Sequence, residues 1–474
     1  MRRSLGLVLP PALAVALYFL SKGSGLPDAG RATAAVAVLM AGWWLTEALP
    51  LAATSLVPVA LFPLVGAASI QRAAAPYAHK LVFLFMGGFM IAAAMERWEL
   101  HRRIALLTVS KVGARPARIV AGFMLATAFL SLWVSNTATT LMMLPIGMSV
   151  VALVAGGARE ETAGRNFATC LVLGIAYSAS IGGIGTLIGT PPNALLAAFM
   201  EQQYGEALSF SGWLGIGLPV AAAMLPLCWV LLTKVLFPIR MAEVPGGREL
   251  LDRELARLGP MGPAERRVLA VFVIVALTWC LRPLLARAAP AVFGSLDDAG
   301  VAILGALALF ILPSGEEEGG RVLDWKAAER LPWGVLLLFG GGLSLALAIS
   351  DTGLAGFLGG LFSGLKGVGP LGLALLVTAM IVLLTELTSN TATTAAFLPI
   401  FAAVAAGAGV PPRMLLFATA LGASCAFMMP VATPPNAIVF ASGNVTMRQM
   451  FRAGVWLNAA AIVVITAWVW CTQG

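Results

Sequence analysis

The hexapeptide Ser135-Asn136-Thr137-Ala138-Thr139-Thr140 occurs again as Ser389-Asn390-Thr391-Ala392-Thr393-Thr394, an offset of 254 residues (389 less 135). At the same offset Leu84-Phe85 matches Leu338-Phe339, Gly87-Gly88 matches Gly341-Gly342 and Pro145-Ile146 matches Pro399-Ile400. The repeat therefore runs through a unit of at least about sixty residues. A later pair, Thr190-Pro191-Pro192-Asn193-Ala194 and Thr433-Pro434-Pro435-Asn436-Ala437, is offset by 243 (433 less 190), so the second copy has 44 residues between its motifs against 55 in the first. The chain must fold as two related halves, each holding one SNT and one TPPN element.

These polar clusters stand in a very apolar chain. Hydrophobic residues make up 59% of the 474 positions and charged residues 11%, with long apolar runs broken mainly by Gly and Pro. That composition places the chain among all-α polytopic membrane proteins. Met1-Arg2-Arg3 and the apolar run Leu5 to Leu20 resemble a signal peptide, but Leu26-Pro27-Asp28 is a poor small-residue cleavage site, so the run is expected to stay as a first span. The five cysteines are scattered through apolar segments without close pairs and suggest neither a disulfide frame nor a zinc site.

About eleven crossings are expected, near 5–22, 32–49, 51–66, 81–97, 165–200, 210–236, 266–285, 298–313, 334–350, 413–441 and 454–472. The runs 116–155 and 370–408 each have a polar break in the middle and read as re-entrant hairpins. With a cytoplasmic N-terminus and an external C-terminus, Lys and Arg divide roughly 22 inside to eight outside. The inside set includes Arg97, Arg102, Arg103, Lys111, Arg115 and Arg118 before the first hairpin, and Arg240, Arg248, Arg253, Arg257, Arg266 and Arg267 between the halves. A basic cytoplasmic rim accounts for the net charge of +8 and removes the nucleic-acid reading. The expected location is the cell membrane, the inner one in a bacterium.

Four segments follow: a first span at 1–30, a first repeat at 31–240, a linker at 241–265 and a second repeat at 266–474. Each half contributes five crossings and one hairpin, and an odd number of crossings inserts the second copy upside down. Inverted repeats of this kind are a common plan for secondary transporters, which bind substrate and ions at broken helices near the midplane. Gly246 to Arg267 alternates Leu250, Leu251, Leu255 and Leu258 with charges and reads as an interfacial amphipathic or solvated linker helix. Ser314 to Glu329, with Glu316-Glu317-Glu318-Gly319-Gly320, reads as a polar loop.

Unsatisfied polar groups inside hydrocarbon cost several kcal/mol each. Ser131, Ser135, Asn136 and Thr137, and again Thr385, Thr388, Ser389, Asn390 and Thr391, therefore need partners or a ligand. Helix-to-helix glue explains one such cluster; two at matching positions, each with a Pro-Pro break, favour a site. Hydroxyl and amide oxygens with carbonyls freed by helix breaks make a hard, neutral set suited to Na⁺. Neither Lys nor His occupies the SNT or TPPN elements, so no side chain there replaces a cation. Helix N-termini beginning after the SNT tips suit a carboxylate.

Glu47, Glu96, Arg97 and Glu386 are the other ionisable candidates in the spans. For Glu386 a structural hydrogen bond at the hairpin entrance is favoured over sensing of the second cation, and for Glu47 stabilisation of the break that follows it. His79 and His101 join no metal or acid–base set, and no nucleophile arrangement, HExxH or phosphate-cradling loop supports an enzyme.

The doubled Ser-Asn-Thr, the two Thr-Pro-Pro-Asn elements, Trp43-Trp44-Leu45-Thr46-Glu47-Ala48-Leu49-Pro50 and the run Leu331 to Gly342 resemble the divalent-anion:sodium symporter family over nearly the whole chain after residue 30. The resemblance implies an elevator-type homodimer in a lipid bilayer, moving C4-dicarboxylates such as succinate, fumarate and malate with several Na⁺ and without an organic cofactor. Citrate or sulfate carriage and dicarboxylate exchange are the alternatives within the same fold. Carried over by position, the first sodium site is implied at Ser131, Ser135, Asn136 and Gly189, and the second at Thr385, Thr388, Asn390 and Ala432. By the same resemblance the substrate meets Ser135, Asn136, Thr137, Thr190 and Pro191, and Ser389, Asn390, Thr391, Thr433 and Pro434.

Overall fold

A computed structural model describes residues 2–111, 115–157, 161–241, 247–315 and 320–473. Prolines set many helix starts, because a missing N–H costs nothing in the first turn. Pro116, Pro191, Pro370, Pro412 and Pro434 each open a helix. The first hairpin comprises Pro116–Ser131 and Asn136–Gly157, and the second Pro370–Thr385 and Asn390–Ala408. Each is followed by a helix that breaks. Glu161–Ile184 resumes as Pro191–Tyr204, and Pro412–Ala423 resumes as Pro434–Ala441. One further long helix closes each set, Phe210–Val230 in the first and Met447–Gln473 in the second.

Within the helix Glu161–Ile184, every residue from Phe167 to Ile184 is buried. This helix packs between both arms of the first hairpin, Phe210–Val230 and Pro434–Ala441, so each half contributes to the surroundings of the other's break. Lys80–Arg97 packs on Asp298–Ile311, which also meets Pro263–Ala288, while Trp333–Asp351 packs on Pro191–Tyr204 and Asn390–Ala408. Glycine allows two close approaches. A Cβ at Gly87 would lie 2.7 Å from Ala302, and one at Gly341 would lie 2.5 Å from the Ser55 carbonyl oxygen. The repeated Gly-Gly pair thus permits helix approach in both halves.

Among the described residues eight helices are long and apolar enough to cross a membrane; a ninth candidate joins Leu354–Leu365 to Pro370–Thr385 through a 115° bend. The expected span at 51–66 is not one helix. It divides into Leu51–Thr54 and Val57–Leu64, with Pro58 at the second residue of the latter, where a proline discourages continuation of the preceding turn. The arm Asn390–Ala408 is itself long enough to cross, as is Asn136–Leu153 in the first hairpin.

The linker forms a helix over Gly247–Arg257. Gly246, Glu316-Glu317-Glu318-Gly319 and the side chains of Arg248, Leu250 and Leu251 lie outside the described residues. The linker is tied to the helix Leu100–Ser110: Arg102 meets Glu254 at 3.1 Å, and Arg103 grips Glu265 through two contacts at 2.5 and 3.0 Å. Leu255 and Leu258 pack on the core, and a charge-assisted bidentate pair at this boundary fixes the linker's position.

Candidate functional site

Both SNT tips and both TPPN starts line one cavity of about 1680 Å³. The helices Asn136–Gly157 and Asn390–Ala408 begin there, directing free backbone N–H groups and the positive ends of their dipoles to its edge. Thr137 and Thr391 are half-buried on the cavity wall.

Asn136 and Asn390 are held alike. The Ser131 hydroxyl reaches Asn136 Oδ1 at 2.5 Å and the Ala179 carbonyl at 2.7 Å. In the second half the Thr385 hydroxyl reaches Asn390 Oδ1 at 2.7 Å and the Ala423 carbonyl at 2.9 Å. One hydroxyl thus fixes the amide of the hairpin tip to the broken helix behind it. Ser135 Oγ accepts the Ala138 N–H at 3.2 Å, whereas Thr388 is occupied by the Leu384 carbonyl at 2.9 Å and by Thr393 Oγ1 at 2.6 Å.

The breaks are clasped by their own asparagines. Asn193 Nδ2 donates to the carbonyls of Gly183, Ile184 and Thr186 at 3.1, 3.3 and 2.7 Å. Asn436 Nδ2 donates to Ala426 and Met429 at 3.1 Å each. Carbonyls that the helix break would leave bare are thereby satisfied, while Gly189 and Ala432 remain on the cavity wall.

Sequence reasoning missed Gly183. A Cβ there would stand 2.6 Å from Asn136 Oδ1 and 3.1 Å from the Gly189 carbonyl oxygen. Two members of the first expected cation set, Gly189 and the Asn136 amide held by Ser131, thus meet around a position that tolerates no side chain. Among the described residues no group of three His, Cys, Asp or Glu is placed to hold a metal ion. A cation in this cavity would have neutral hydroxyl, amide and carbonyl oxygens as ligands, a hard set suited to Na⁺.

Glu386 is structural. Its Oε1 accepts from the N–H groups of Phe427 and Met428 at 2.6 and 2.8 Å and from Asn458 Nδ2 at 2.7 Å, and its Oε2 accepts from Met429 at 3.0 Å. The corresponding residue of the first half is Leu132, so this brace belongs to one repeat alone.

The cavity rim carries Glu47, Glu96, Arg97, Asp324, Lys326 and Arg330. Arg97 pairs with Asp324 at 2.6 Å. Asp324, outside the spans, is held below the usual carboxylate range by the Ala327 N–H and then by Arg97. Glu47 does not brace the break after it, contrary to expectation: it ends its helix in the left-handed region (φ 50°) with its exposed side chain at the rim. Trp44 Nε1 makes the local tie instead, donating to the Leu51 carbonyl at 3.3 Å. His101 Nδ1 lies 2.9 Å from the Met95 carbonyl oxygen, and His79 lies beside Glu201.

The sequence pattern of the sodium:sulfate symporter transmembrane region matches residues 2–472. The chain belongs to the sodium:sulfate symporter family. It is 42% identical over 466 residues to the sodium-dependent dicarboxylate transporter SdcS of Staphylococcus saprophyticus, covering 97% of this chain and 89% of that one. The SdcS protein of Staphylococcus aureus (strain NCTC 8325) is 40% identical over 465 residues, with the same coverage. Two solved structures share the fold at 14% identity: the YdaH transporter of Alcanivorax borkumensis, with a TM-score of 0.55 over 84% of this chain and 86% of that one, and MtrF of Neisseria gonorrhoeae, with 0.57 over 98% of each. Membership makes this an integral membrane transporter, and the resemblance seen in its motifs extends across nearly the whole chain.

Proposed function

We propose that this chain moves C4-dicarboxylates such as succinate, fumarate and malate across the membrane by symport with Na⁺. The observation that carries this reading is the repeated geometry of Asn136 and Asn390, which line a single cavity and are each held from behind by a buried hydroxyl, Ser131 and Thr385. Two neutral oxygen sites flank a space where amide, hydroxyl and helix N-termini suit an anion. The names of the SdcS relatives support a dicarboxylate, where the family description itself names sulfate.

In this reading Ser131, Ser135, Asn136 and Gly189 hold the first Na⁺, and Thr385, Thr388, Asn390 and Ala432 the second. Ser135-Asn136-Thr137 and Ser389-Asn390-Thr391 receive the carboxylates, with Thr190, Pro191, Thr433 and Pro434 beside them. The two hairpins and broken helices move as one body against the surrounding helices, as an elevator, in each subunit of a homodimer. The N-terminus is cytoplasmic and the C-terminus external, so the rim with Arg97 and Arg330 faces the cytoplasm.

Purified protein tests the coupling. Succinate should raise the thermal unfolding midpoint in NaCl and leave it unchanged in KCl. Equal stabilisation in both salts would favour an exchanger that needs no sodium.

A further inference from the structure

We propose that Glu201, with Lys80 and His79 facing it, is an ionic latch that holds the cavity closed at the end away from its mouth. Lys80 Nζ lies 2.5 Å from Glu201 Oε1, and His79 Nε2 lies 3.6 Å from Glu201 Oε2. Their placement gives the contact its meaning. Glu201 rides on Pro191–Tyr204, the helix whose first residue lines the cavity, about 15 Å farther along at 1.5 Å per residue. Lys80 opens the helix that ends at Arg97 on the cavity rim, so it stands about 25 Å from the mouth.

The same end carries a second stitch from the next residue. Gln202 Nε2 donates to the Leu343 carbonyl at 3.1 Å, joining Pro191–Tyr204 to Trp333–Asp351. The inference rests on the elevator reading above. When the cavity opens on the opposite face, Pro191–Tyr204 must shift against Lys80–Arg97, and the ion pair must part. Side-chain exposures of 43% for Lys80 and 25% for Glu201 put the pair at a wet boundary, where separation is inexpensive. Such a contact biases the balance between two states without trapping either.

The test uses full-length protein in membranes, with Ala138→Cys as reporter at the mouth and the exposed native thiols removed as Cys280→Ser and Cys471→Ser. An impermeant maleimide is added from the mouth side in KCl. Lys80→Glu and Glu201→Lys should each slow labelling by about threefold, a size expected of a partly exposed pair. The double reversal should restore the parent rate, because the attraction is rebuilt with its poles exchanged. Glu201→Gln, a milder change, should move the rate in the same direction as Glu201→Lys. Parent-like rates in all single variants, or a double reversal no faster than the singles, would overturn the latch. Protection of Ala138→Cys by Na⁺ plus succinate in the parent is scored separately; its absence would count against the transport site, whatever the latch variants do.

Discussion

Asn193 and Asn436, 243 residues apart (436 less 193), perform the same task in opposite halves of the molecule. Each is fully buried, and each turns its amide nitrogen onto carbonyls of the break that precedes it. Their Oδ1 atoms are buried and have no hydrogen-bond partner among the described residues in either half. Asn193→Ala and Asn436→Ala would each bare the carbonyls now held, and a buried unsatisfied group costs about 1–3 kcal/mol. Thermal unfolding in detergent should show a lower midpoint for each variant, and succinate uptake should need more Na⁺ for half-maximal rate. Parent-like behaviour in both would show that the clasps do not shape the breaks.

Gly183→Ala places a methyl 2.6 Å from Asn136 Oδ1, inside the first expected cation site. Uptake at subsaturating Na⁺ should fall at least about tenfold, equivalent to roughly 1.4 kcal/mol. Gly215→Ala, where an added Cβ meets nothing within 4 Å, is the matched control and should transport normally. Comparison of the two sodium titrations separates a local clash from a general loss of glycine flexibility.

Asn136→Asp and Asn390→Asp keep an oxygen ligand, remove an N–H donor and add negative charge beside an anionic substrate. Like charges a few ångströms apart repel by about 4 kcal/mol at an effective dielectric of 20. Both variants should reach the membrane yet lose dicarboxylate uptake by at least about tenfold. Ser149→Ala, which removes only a bond to the Pro145 carbonyl at 3.1 Å, should lose little. Near-normal uptake by both Asp variants would place the anion elsewhere.

Glu386→Gln exchanges one acceptor oxygen for an NH₂ group facing N–H donors from Phe427, Met428, Met429 and the Asn458 amide. At least one donor is left unmatched, a loss of about 1–3 kcal/mol. Chemical or thermal unfolding should show this destabilisation, and unchanged stability would contradict the bracing role.

Much of this arrangement was legible in the chain. The hexapeptide tips, the Pro-Pro helix starts and the breaks between Ile184 and Pro191 and between Ala423 and Pro434 fall where the repeated motifs place them. The partners of Ser131, Thr385 and Glu386 were not legible, because Ala179, Ala423, Phe427 and Met428 act through backbone groups that leave no mark in side-chain type. Gly183 was hidden for a related reason: its role is to be small beside Asn136, and Ala426 stands at the matching place in the second half. Glu47 misled because a charge at a span end suggests a brace, while its left-handed backbone leaves the side chain at the rim.

Sodium-gradient-driven uptake in proteoliposomes tests the central claim most directly. Radiolabelled succinate should accumulate when Na⁺ is present outside, and far less with Li⁺ or K⁺. If more than two Na⁺ accompany each divalent anion, an inside-negative potential should accelerate uptake, since the step then carries net positive charge. Succinate uptake indifferent to both Na⁺ and voltage would contradict the symport account and point to exchange.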